Sequence, residues 1–325
     1  DSVPPTAPVL PATTAPVSAP PPRAPLTRRH LLGVAAGLTV TAGAGVTAYR
    51  LNVDDGPGGT EDPKPGGLLA ALREKGVVRL GIADERPYGY VDGYAGSDIH
   101  ATGVGPAVAA AVFKRLGVRR TQAATTPFEM LIAGLGVDHF DVIATGLYVT
   151  PDRCRQVLFA TPHFELRDAF LTARRGAATV TSYADVARVQ RQDGFKLACA
   201  AGSQQLEYAR EAGVKDILPL VDPEAGLAAV STGRADAFAG THLDVRALAK
   251  KDSEVAVSRP VQPTSGGRPV HNAGAFAFAR DQRELRDAFD TELRKIKKSG
   301  ELLRLVKPFG FTKAEMTDTA LEDIC

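Results

Sequence analysis

The sequence has few of the features that mark several functional classes. Its 325 residues contain no tryptophan, three cysteines and six histidines. The 39 basic and 37 acidic residues nearly balance, so the chain lacks the strong charge excess that favours nucleic-acid binding. The histidines are scattered, and no two cysteines have the two-residue spacing of a metal or redox pair. We therefore expect no metal, no cofactor and no nucleic-acid partner.

The N-terminal part has the composition of an extension followed by an export signal. Residues 1–24 are almost wholly Pro, Ala, Val, Thr and Ser, which is typical of disorder. Arg28 and Arg29 then precede a mildly apolar stretch from Leu31 to about Tyr49, an order that resembles a twin-arginine signal. The alternative is an apolar helix that spans a bilayer. Both interpretations place the rest of the protein outside the cytoplasm.

Two kinds of hydrophobic segment alternate after a Gly/Pro-rich linker. Runs such as VVRLGIA and FKLACAAG predict strands, and runs such as GPAVAAAVFKRLGV predict helices. This alternation predicts an α/β protein with a parallel or mixed sheet covered by helices. The pattern starts again part-way along, which predicts two halves joined by two extended segments. We assign residues 1–66 to the N-terminal region, 67–172 and 273–325 to lobe 1, and 173–272 to lobe 2.

Chemistry-bearing residues follow the ends of several predicted strands. They are Glu85, Tyr88, Phe128, Tyr148, Arg153 and Ser203. Each has an ordinary structural interpretation when taken singly, such as a solvated carboxylate, a packed aromatic ring or a helix cap. Ligands of α/β folds bind where the carboxyl ends of strands face a crevice. The shared position of these residues therefore predicts one cleft between the two halves.

From Gly76 to Cys325 the chain resembles the type II extracytoplasmic solute-binding proteins of ABC importers, in the polar amino-acid-binding branch. The resemblance is carried by VRLGIADERPYGY, GRADAFAGT, AGAFAFARDQRELRDAFDTEL and PFEMLIAGLGVDHFDVIATGLYVTPDRCRQVLFATPHF. It implies a two-lobed periplasmic-binding-protein type II fold with two extended hinge crossovers. It also implies a membrane permease as partner and a binding function without catalysis. We expect the protein to be a monomer.

One comparison within that branch concerns the ligand. Amino-acid binders usually have an aspartate just after the GRxDA strand for the α-ammonium group, whereas Thr241 stands there in this chain. The lobe 1 residues instead look like the ligand set of the ectoine- and hydroxyectoine-binding proteins. Ectoine combines a delocalised amidinium cation with a carboxylate, and weakly hydrated cations bind well to aromatic faces. The resemblance implies aromatic walls (Tyr88, Phe128, Tyr148), a carboxylate for the ring N–H groups (Glu85), carboxylate binders (Arg153, Ser203) and a further contact (Thr241).

The sequence alone allows alternatives for the pairing of the cysteines and for the function. Cys154, Cys199 and Cys325 allow three pairings in an oxidising compartment. The subfamily resemblance implies the Cys154–Cys325 bond and leaves Cys199 as a buried thiol. A polar amino acid or another zwitterion is the alternative ligand. An enzyme like cyclohexadienyl dehydratase is a further alternative, with Glu85 as its candidate general acid.

Overall fold

The computed structural model describes residues 67–95, 98–174 and 180–325, all within one compact unit, Thr60–Cys325. The predicted extension, export signal and linker of residues 1–66 lie outside the described residues. Among the ranges described, no helix has both the length and the apolar character needed to cross a membrane.

Helices and strands alternate along the described chain, as its hydrophobic pattern predicts. The α-helices are α1 (Gly67–Lys75), α2 (Val104–Arg115), α3 (Leu131–Gly136), α4 (Pro151–Cys154), α5 (Tyr183–Asp193), α6 (Gln204–Glu211), α7 (Pro223–Ser231), α8 (His242–Ala249), α9 (Arg283–Lys298) and α10 (Glu301–Val306). The strands are β1 (Val77–Ile82), β2 (Tyr90–Ala95), β3 (Asp98–Thr102), β4 (Arg120–Thr125), β5 (Val142–Ile143), β6 (Leu158–Phe159), β7 (Phe164–Leu166), β8 (Asp168–Ala173), β9 (Leu197–Ala200), β10 (Ile217–Leu220), β11 (Ala237–Thr241), β12 (Val255–Val257), β13 (Thr264–Ser265), β14 (Arg268–Pro269), β15 (Asn272–Gly274) and β16 (Ala277–Phe278).

Lobe 1 is built around a mixed sheet whose described strands run in the order β4-β1-β5-β16-β6. Strand β1 is parallel to β4 and β5, and β16 is antiparallel to β5 and β6. The apolar side chains of α9 recur every three or four residues, at Leu285, Phe289, Leu293 and Ile296, and all four are buried in the lobe 1 core. Because α9 and β16 come late in the chain, lobe 1 is formed from two separate parts of the sequence.

Lobe 2 contains a second sheet with the described order β10-β9-β11-β8-β12. Strands β10, β9 and β11 are parallel, and β8 is antiparallel to β11 and β12. The boundary predicted between residues 172 and 173 is therefore corrected, because β8 belongs to lobe 2. An apolar strand suits the core of either lobe, and its pairing with β11 decides the assignment.

Two extended segments carry the chain between the sheets. Strands β7 and β15 lie side by side and antiparallel. The apolar run AGAFAFAR is thus divided between β15, in the crossover, and β16, in the lobe 1 sheet. A Cβ atom at Gly274 would overlap the ring of Phe164, so this close approach requires glycine. Two α/β lobes with two crossovers are the predicted periplasmic-binding-protein type II fold.

A disulfide joins Cys154 in α4 to Cys325, with their Cα atoms 5.8 Å apart. It fastens the C-terminal tail to lobe 1, as the resemblance implies. Cys199 is a free, buried thiol on β9 in lobe 2. Burial raises the pKa of this thiol, which is characteristic of an unreactive core cysteine.

Candidate functional site

A narrow cleft lies where the two lobes face each other. Lobe 1 lines it with segments that follow β1, β4 and β5, and lobe 2 lines it with the ends of β9, β10 and β11. These are the positions where α/β folds bind ligands. The cleft is lined by six predicted site residues, namely Glu85, Phe128, Tyr148, Arg153, Ser203 and Thr241.

Tyr88, the remaining predicted site residue, lies behind the cleft. Its side chain is 1% exposed, and its ring packs 5.9 Å from that of Phe164 and 6.2 Å from that of Phe311, between centroids. The Tyr88 hydroxyl lies 2.5 Å from the hydroxyl of Thr241 in lobe 2. In this structure Tyr88 therefore links the lobes and does not form a wall of the cleft.

Phe128 and Tyr148 supply aromatic surface on the lobe 1 side. Phe128 is half-buried at the start of a short 3-10 turn, and Tyr148 is anchored by a backbone bridge to Gly274 in β15. The Tyr148 hydroxyl is buried without a hydrogen-bond partner among the described residues. Burial raises the pKa of this phenol well above its ordinary value, so the hydroxyl keeps its proton. Tyr148 thus offers both an apolar ring and an unused donor.

Arg153 joins the two lobes at the cleft. Its Nη1 donates to the carbonyl of Tyr148 at 2.9 Å, and its Nη2 donates to the carbonyl of Gly202 in lobe 2 at 3.0 Å. The guanidinium carbon lies 5.7 Å from the centroid of the Phe128 ring. Burial lowers the pKa of Arg153 to about 10, so the group remains charged at neutral pH. A guanidinium carries five N–H donors, and those not used here are available to an anion.

Glu85 places a carboxylate in the cleft. Its backbone is fixed in a turn, where Glu85 N donates to Gly89 O and Tyr88 N donates to Glu85 O, both at 2.8 Å. Its Oε2 is buried and has no hydrogen-bond partner in the described part of the chain. Burial, and then the negative charge of Asp244, raise the pKa of Glu85 well above its ordinary value. Such a group is stable when it is protonated or when it faces a cation.

Ser203 occupies the N-cap position of α6. Its Oγ accepts a hydrogen bond from Leu206 N at 3.3 Å, and the residue is 7% exposed. The hydroxyl oxygen is therefore used in capping, but the hydroxyl proton remains available to a ligand. Capping and ligand binding are compatible at this residue.

Asp244 lines the cleft although it was not among the predicted site residues. It forms a capping box with Thr241, in which Asp244 N donates to Thr241 Oγ1 at 3.1 Å and Thr241 N donates to Asp244 Oδ2 at 3.0 Å. Its other oxygen, Oδ1, is buried with no partner within the described ranges. Burial raises the pKa of Asp244 to about 7. The sequence signal was Thr-x-x-Asp, which predicts a helix start and does not reveal the second oxygen.

A buried polar cluster connects the cleft to the crossovers. Asp168 accepts hydrogen bonds from Tyr183 Oη and Gln205 Nε2, both at 2.8 Å, and from Asn272 Nδ2 at 3.3 Å. Tyr208 Oη donates to Asn272 Oδ1 at 2.6 Å. Burial raises the pKa of Asp168 to about 7 in spite of these donors. Since Gln205 also lines the cleft, hydrogen bonds run from the cleft through Gln205 and Asp168 to Asn272 in the crossover strand β15.

Within residues 67–95, 98–174 and 180–325, no group of three or more His, Cys, Asp or Glu side chains is arranged to hold a metal ion. The side chains that line the cleft carry a guanidinium, three carboxylates (Glu85, Asp222 and Asp244), amides, aromatic rings and hydroxyls.

Comparison with known proteins identifies the family. The family described as bacterial extracellular solute-binding proteins, family 3, matches residues 78–312. The chain belongs to this family.

This solute-binding protein is 31% identical over 265 residues to a probable amino-acid ABC transporter periplasmic-binding protein of Sinorhizobium fredii, covering 79% of this chain and 85% of the relative. It is 25% identical over 250 residues to cyclohexadienyl dehydratase of Pseudomonas aeruginosa, covering 74% and 81% of the two chains. Among solved structures, the crystal structure of EhuB in complex with hydroxyectoine matches with a TM-score of 0.70 and 32% identity, covering 79% of this chain and 97% of that one.

Family membership confirms the predicted fold and the predicted solute-binding role outside the cytoplasm. The lobes of this solute-binding protein are in contact across the cleft, through Tyr88 with Thr241 and through Arg153 with Gly202. A Cβ atom on Gly202 would lie 2.8 Å from the Cβ of Glu129 in lobe 1, so the backbones also approach closely. The structure therefore shows the lobes closed on each other.

Proposed function

We propose that this protein is the substrate-binding component of an ABC importer, and that it captures ectoine or hydroxyectoine and delivers the solute to a membrane permease. One observation carries this proposal. The cleft holds the Arg153 guanidinium, with donors to spare, together with the unpartnered Oε2 of Glu85. A cation and an anion site in one enclosed cleft suit a small zwitterion.

Each part of ectoine has a counterpart in this arrangement. Its carboxylate would accept the remaining N–H groups of Arg153 in a charge-assisted, forked pair, with the Ser203 hydroxyl as a further donor. Its amidinium N–H groups would donate to Glu85. Phe128 and Tyr148 would cover the delocalised cation, and each aromatic contact contributes up to about 2 kcal/mol when desolvated. The similarity to EhuB, which was crystallised with hydroxyectoine, supports the same ligand class.

The place of the protein in the cell is part of the proposal. We propose that the twin arginines, Arg28 and Arg29, direct export, and that the protein works as a monomer outside the cytoplasm, either secreted, periplasmic or anchored at the outer face of the membrane. The extracellular character of the family supports this location.

Calorimetric titration tests the ligand. Wild type is titrated with ectoine, hydroxyectoine, glycine betaine, L-arginine and L-glutamine, and the titration is repeated with Glu85→Gln. We expect heat from ectoine or hydroxyectoine, and weaker binding by Glu85→Gln because an amide cannot match the negative charge. Glu254→Gln, an exposed glutamate outside the cleft, is the control and should bind like wild type. Heat from arginine or glutamine with none from ectoine would contradict the proposed ligand.

A polar amino acid is the second candidate, and Asp244 favours it. Thr241 cannot balance the charge of an α-ammonium group, but the free Oδ1 of Asp244 lies in the same cleft. The relative from Sinorhizobium fredii, named as a probable amino-acid transporter component, supports this candidate too. The titration series decides between the two.

Dehydratase activity is a third candidate, because the raised pKa of Glu85 is a property that a general acid needs. Incubation with prephenate and measurement of product tests it. We expect no turnover, since Glu85 has a sufficient role as a partner of a cation.

A further inference from the structure

Two buried carboxylate oxygens face the same cleft from opposite lobes. Glu85 Oε2 belongs to lobe 1 and Asp244 Oδ1 to lobe 2, and within the described residues neither has a hydrogen-bond partner. Buried carboxylates are normally paired or hydrogen-bonded, because an unpaired buried charge is costly. Both oxygens therefore require a partner of the same kind. We refer to Glu85 and Asp244 as the carboxylate pair.

Cations beside the carboxylate pair are engaged elsewhere. Lys251 lines a small outer cavity shared with the pair, but its ammonium group contacts Glu224. The guanidinium of Arg86 lies 3.7 Å over the ring of Tyr90. Asp84, which also lines this cavity, accepts a hydrogen bond from a backbone N–H and adds no positive charge. The pair is thus left without compensation by its neighbours.

The position of Asp244 is fixed by the start of α8. Its Oδ2 is held by the N–H of Thr241, and only Oδ1 remains free. A Cβ atom on Gly240 would lie 2.6 Å from Oδ1, so the carboxylate can rest against the strand end only because residue 240 is glycine. Asp244 can therefore not turn away from the cleft without losing the cap.

The remaining titratable groups that face the pair do not neutralise it. Asp168 adds negative charge to the surroundings of Asp244. Asp222, a further carboxylate lining the cleft, accepts a hydrogen bond from Ala225 N at 2.7 Å and adds no positive charge. Tyr88 and Tyr148 stay neutral, because burial raises the pKa of each phenol well above its ordinary value. Arg153 lines the cleft, but the charged groups that shift the pKa values of Glu85 and Asp244 are carboxylates.

We propose that the carboxylate pair makes lobe closure dependent on a cation, so that Asp244 is a specificity residue that selects ligands with a positively charged group carrying several N–H donors. Closing the lobes brings the two negative charges into one dry cleft, and a cationic group between them removes the repulsion. The inference rests on the proposed solute-binding role but applies equally to an amidinium and to an ammonium ligand.

Protons compete with such a ligand. The pKa of Asp244 is raised to about 7, so the closed, ligand-free protein favours its protonated form and loses that stability as the pH rises from about 4 through 7. A carboxyl with this pKa is about one-tenth ionised at about pH 6. Binding of a cation should therefore be about tenfold weaker at about pH 6 than at about pH 8.

Small-angle X-ray scattering of ligand-free protein tests the inference without any knowledge of the ligand. Wild type, Asp244→Asn and Asp244→Lys are stripped of ligand by unfolding and refolding and compared at about pH 8. Asn keeps the capping oxygen and removes one charge, and Lys brings a cation to Glu85. We expect a smaller radius of gyration for Asp244→Asn than for wild type, and the smallest for Asp244→Lys. Asp185→Asn is the matched control, because Asp185 holds the equivalent position in α5 outside the cleft, and it should resemble wild type.

Calorimetric titration with ectoine and with L-arginine at two pH values measures how the binding affinity depends on pH. We expect the affinity of wild type for the probe that binds to fall about tenfold from about pH 8 to about pH 6, and that of Asp244→Asn to fall less, because only Glu85 of the pair still titrates. Equal radii for wild type and Asp244→Asn at the higher pH, or an equal loss of affinity in both proteins, would overturn the inference. If neither probe gives heat, the proposed ligands are wrong, and the scattering result alone decides whether the carboxylate pair controls closure.

Discussion

The two lobes line the cleft with different kinds of structure. Lobe 1 supplies long side chains that follow strand ends, namely Glu85, Phe128, Tyr148 and Arg153. Lobe 2 supplies the starts of helices, with Ser203 capping α6 and Thr241 and Asp244 forming the capping box of α8. Lobe 1 thus supplies the guanidinium and the rings of Phe128 and Tyr148, whereas lobe 2 contributes helix starts, hydroxyls, the ring of Phe238 and the carboxylates of Asp222 and Asp244. The comparison predicts that lobe 1 carries most of the affinity and that lobe 2 controls closure.

The largest effect should come from Arg153, which belongs to lobe 1 but also contacts lobe 2. Arg153→Ala removes a partly buried guanidinium and leaves the ligand carboxylate without its partner, which typically costs about 2–5 kcal/mol of binding free energy. Calorimetry with ectoine should therefore show at least a thirtyfold loss, roughly, of affinity. Arg155→Ala is the control, because Arg155 is exposed and pairs with Asp152. A loss of similar size in both variants would mean that disturbance of α4, and not the lost clamp, explains the result.

The second largest effect should come from the disulfide, which lies in lobe 1. It closes a loop of 171 residues and holds α4, the helix that carries Arg153, to the C-terminal tail. Cys154→Ser with Cys325→Ser should lower the free energy of unfolding by about 2–4 kcal/mol, measured by urea denaturation. Cys199→Ala in lobe 2 leaves the disulfide intact and is the comparison variant. A double variant as stable as wild type would show that the tail stays docked without the bond.

The sequence predicted the lobe 1 side of the cleft better than the lobe 2 side, for a physical reason. Long charged and aromatic side chains at strand ends have few structural uses, so the sequence predicts a binding role for Glu85 and Arg153. A threonine or aspartate at a helix start has an adequate role as a cap, and the free second oxygen of Asp244 is visible only in three dimensions. Tyr88 shows the converse error, since its strand-end position does not reveal that the ring packs against Phe164 and Phe311.

The fold was predictable where local pattern and tertiary structure agree. The Ser182 cap of α5 is an example, with Ser182 Oγ accepting from Asp185 N at 3.0 Å. The charged run of residues 281–306 has the pattern of one long helix, whereas Gly300, with a φ of 72°, separates α9 from α10. Strand β8 was assigned to the wrong lobe, because composition does not specify pairing partners at long range. Local sequence signals specify individual helices and strands, whereas the lobe to which a strand belongs depends on contacts between residues distant in the sequence.

Closure can be tested through the backbone of lobe 2. Gly202 has a φ of 70°, and a Cβ there would lie 2.8 Å from Glu129 Cβ. Gly202→Ala should therefore hold the lobes apart and weaken ectoine binding about tenfold, as measured by calorimetry. Gly213→Ala is a close control, since Gly213 has a φ of 86° but no atom within 4 Å of the added Cβ. Both variants carry backbone strain, and the difference between them reports the contact between lobes.

The smallest effect should come from Ser203, whose role in capping α6 can be separated from its proposed role in ligand binding. Ser203→Ala and Ser182→Ala each remove an N-cap hydroxyl, which lowers the free energy of unfolding by about 1 kcal/mol. The two variants should therefore lose similar stability in thermal unfolding. Only Ser203 lines the cleft, so its variant alone should also bind ectoine more weakly, by roughly threefold to tenfold for one lost hydrogen bond. Equal affinity in both variants would assign Ser203 to helix capping alone and leave the binding of the carboxylate to lobe 1.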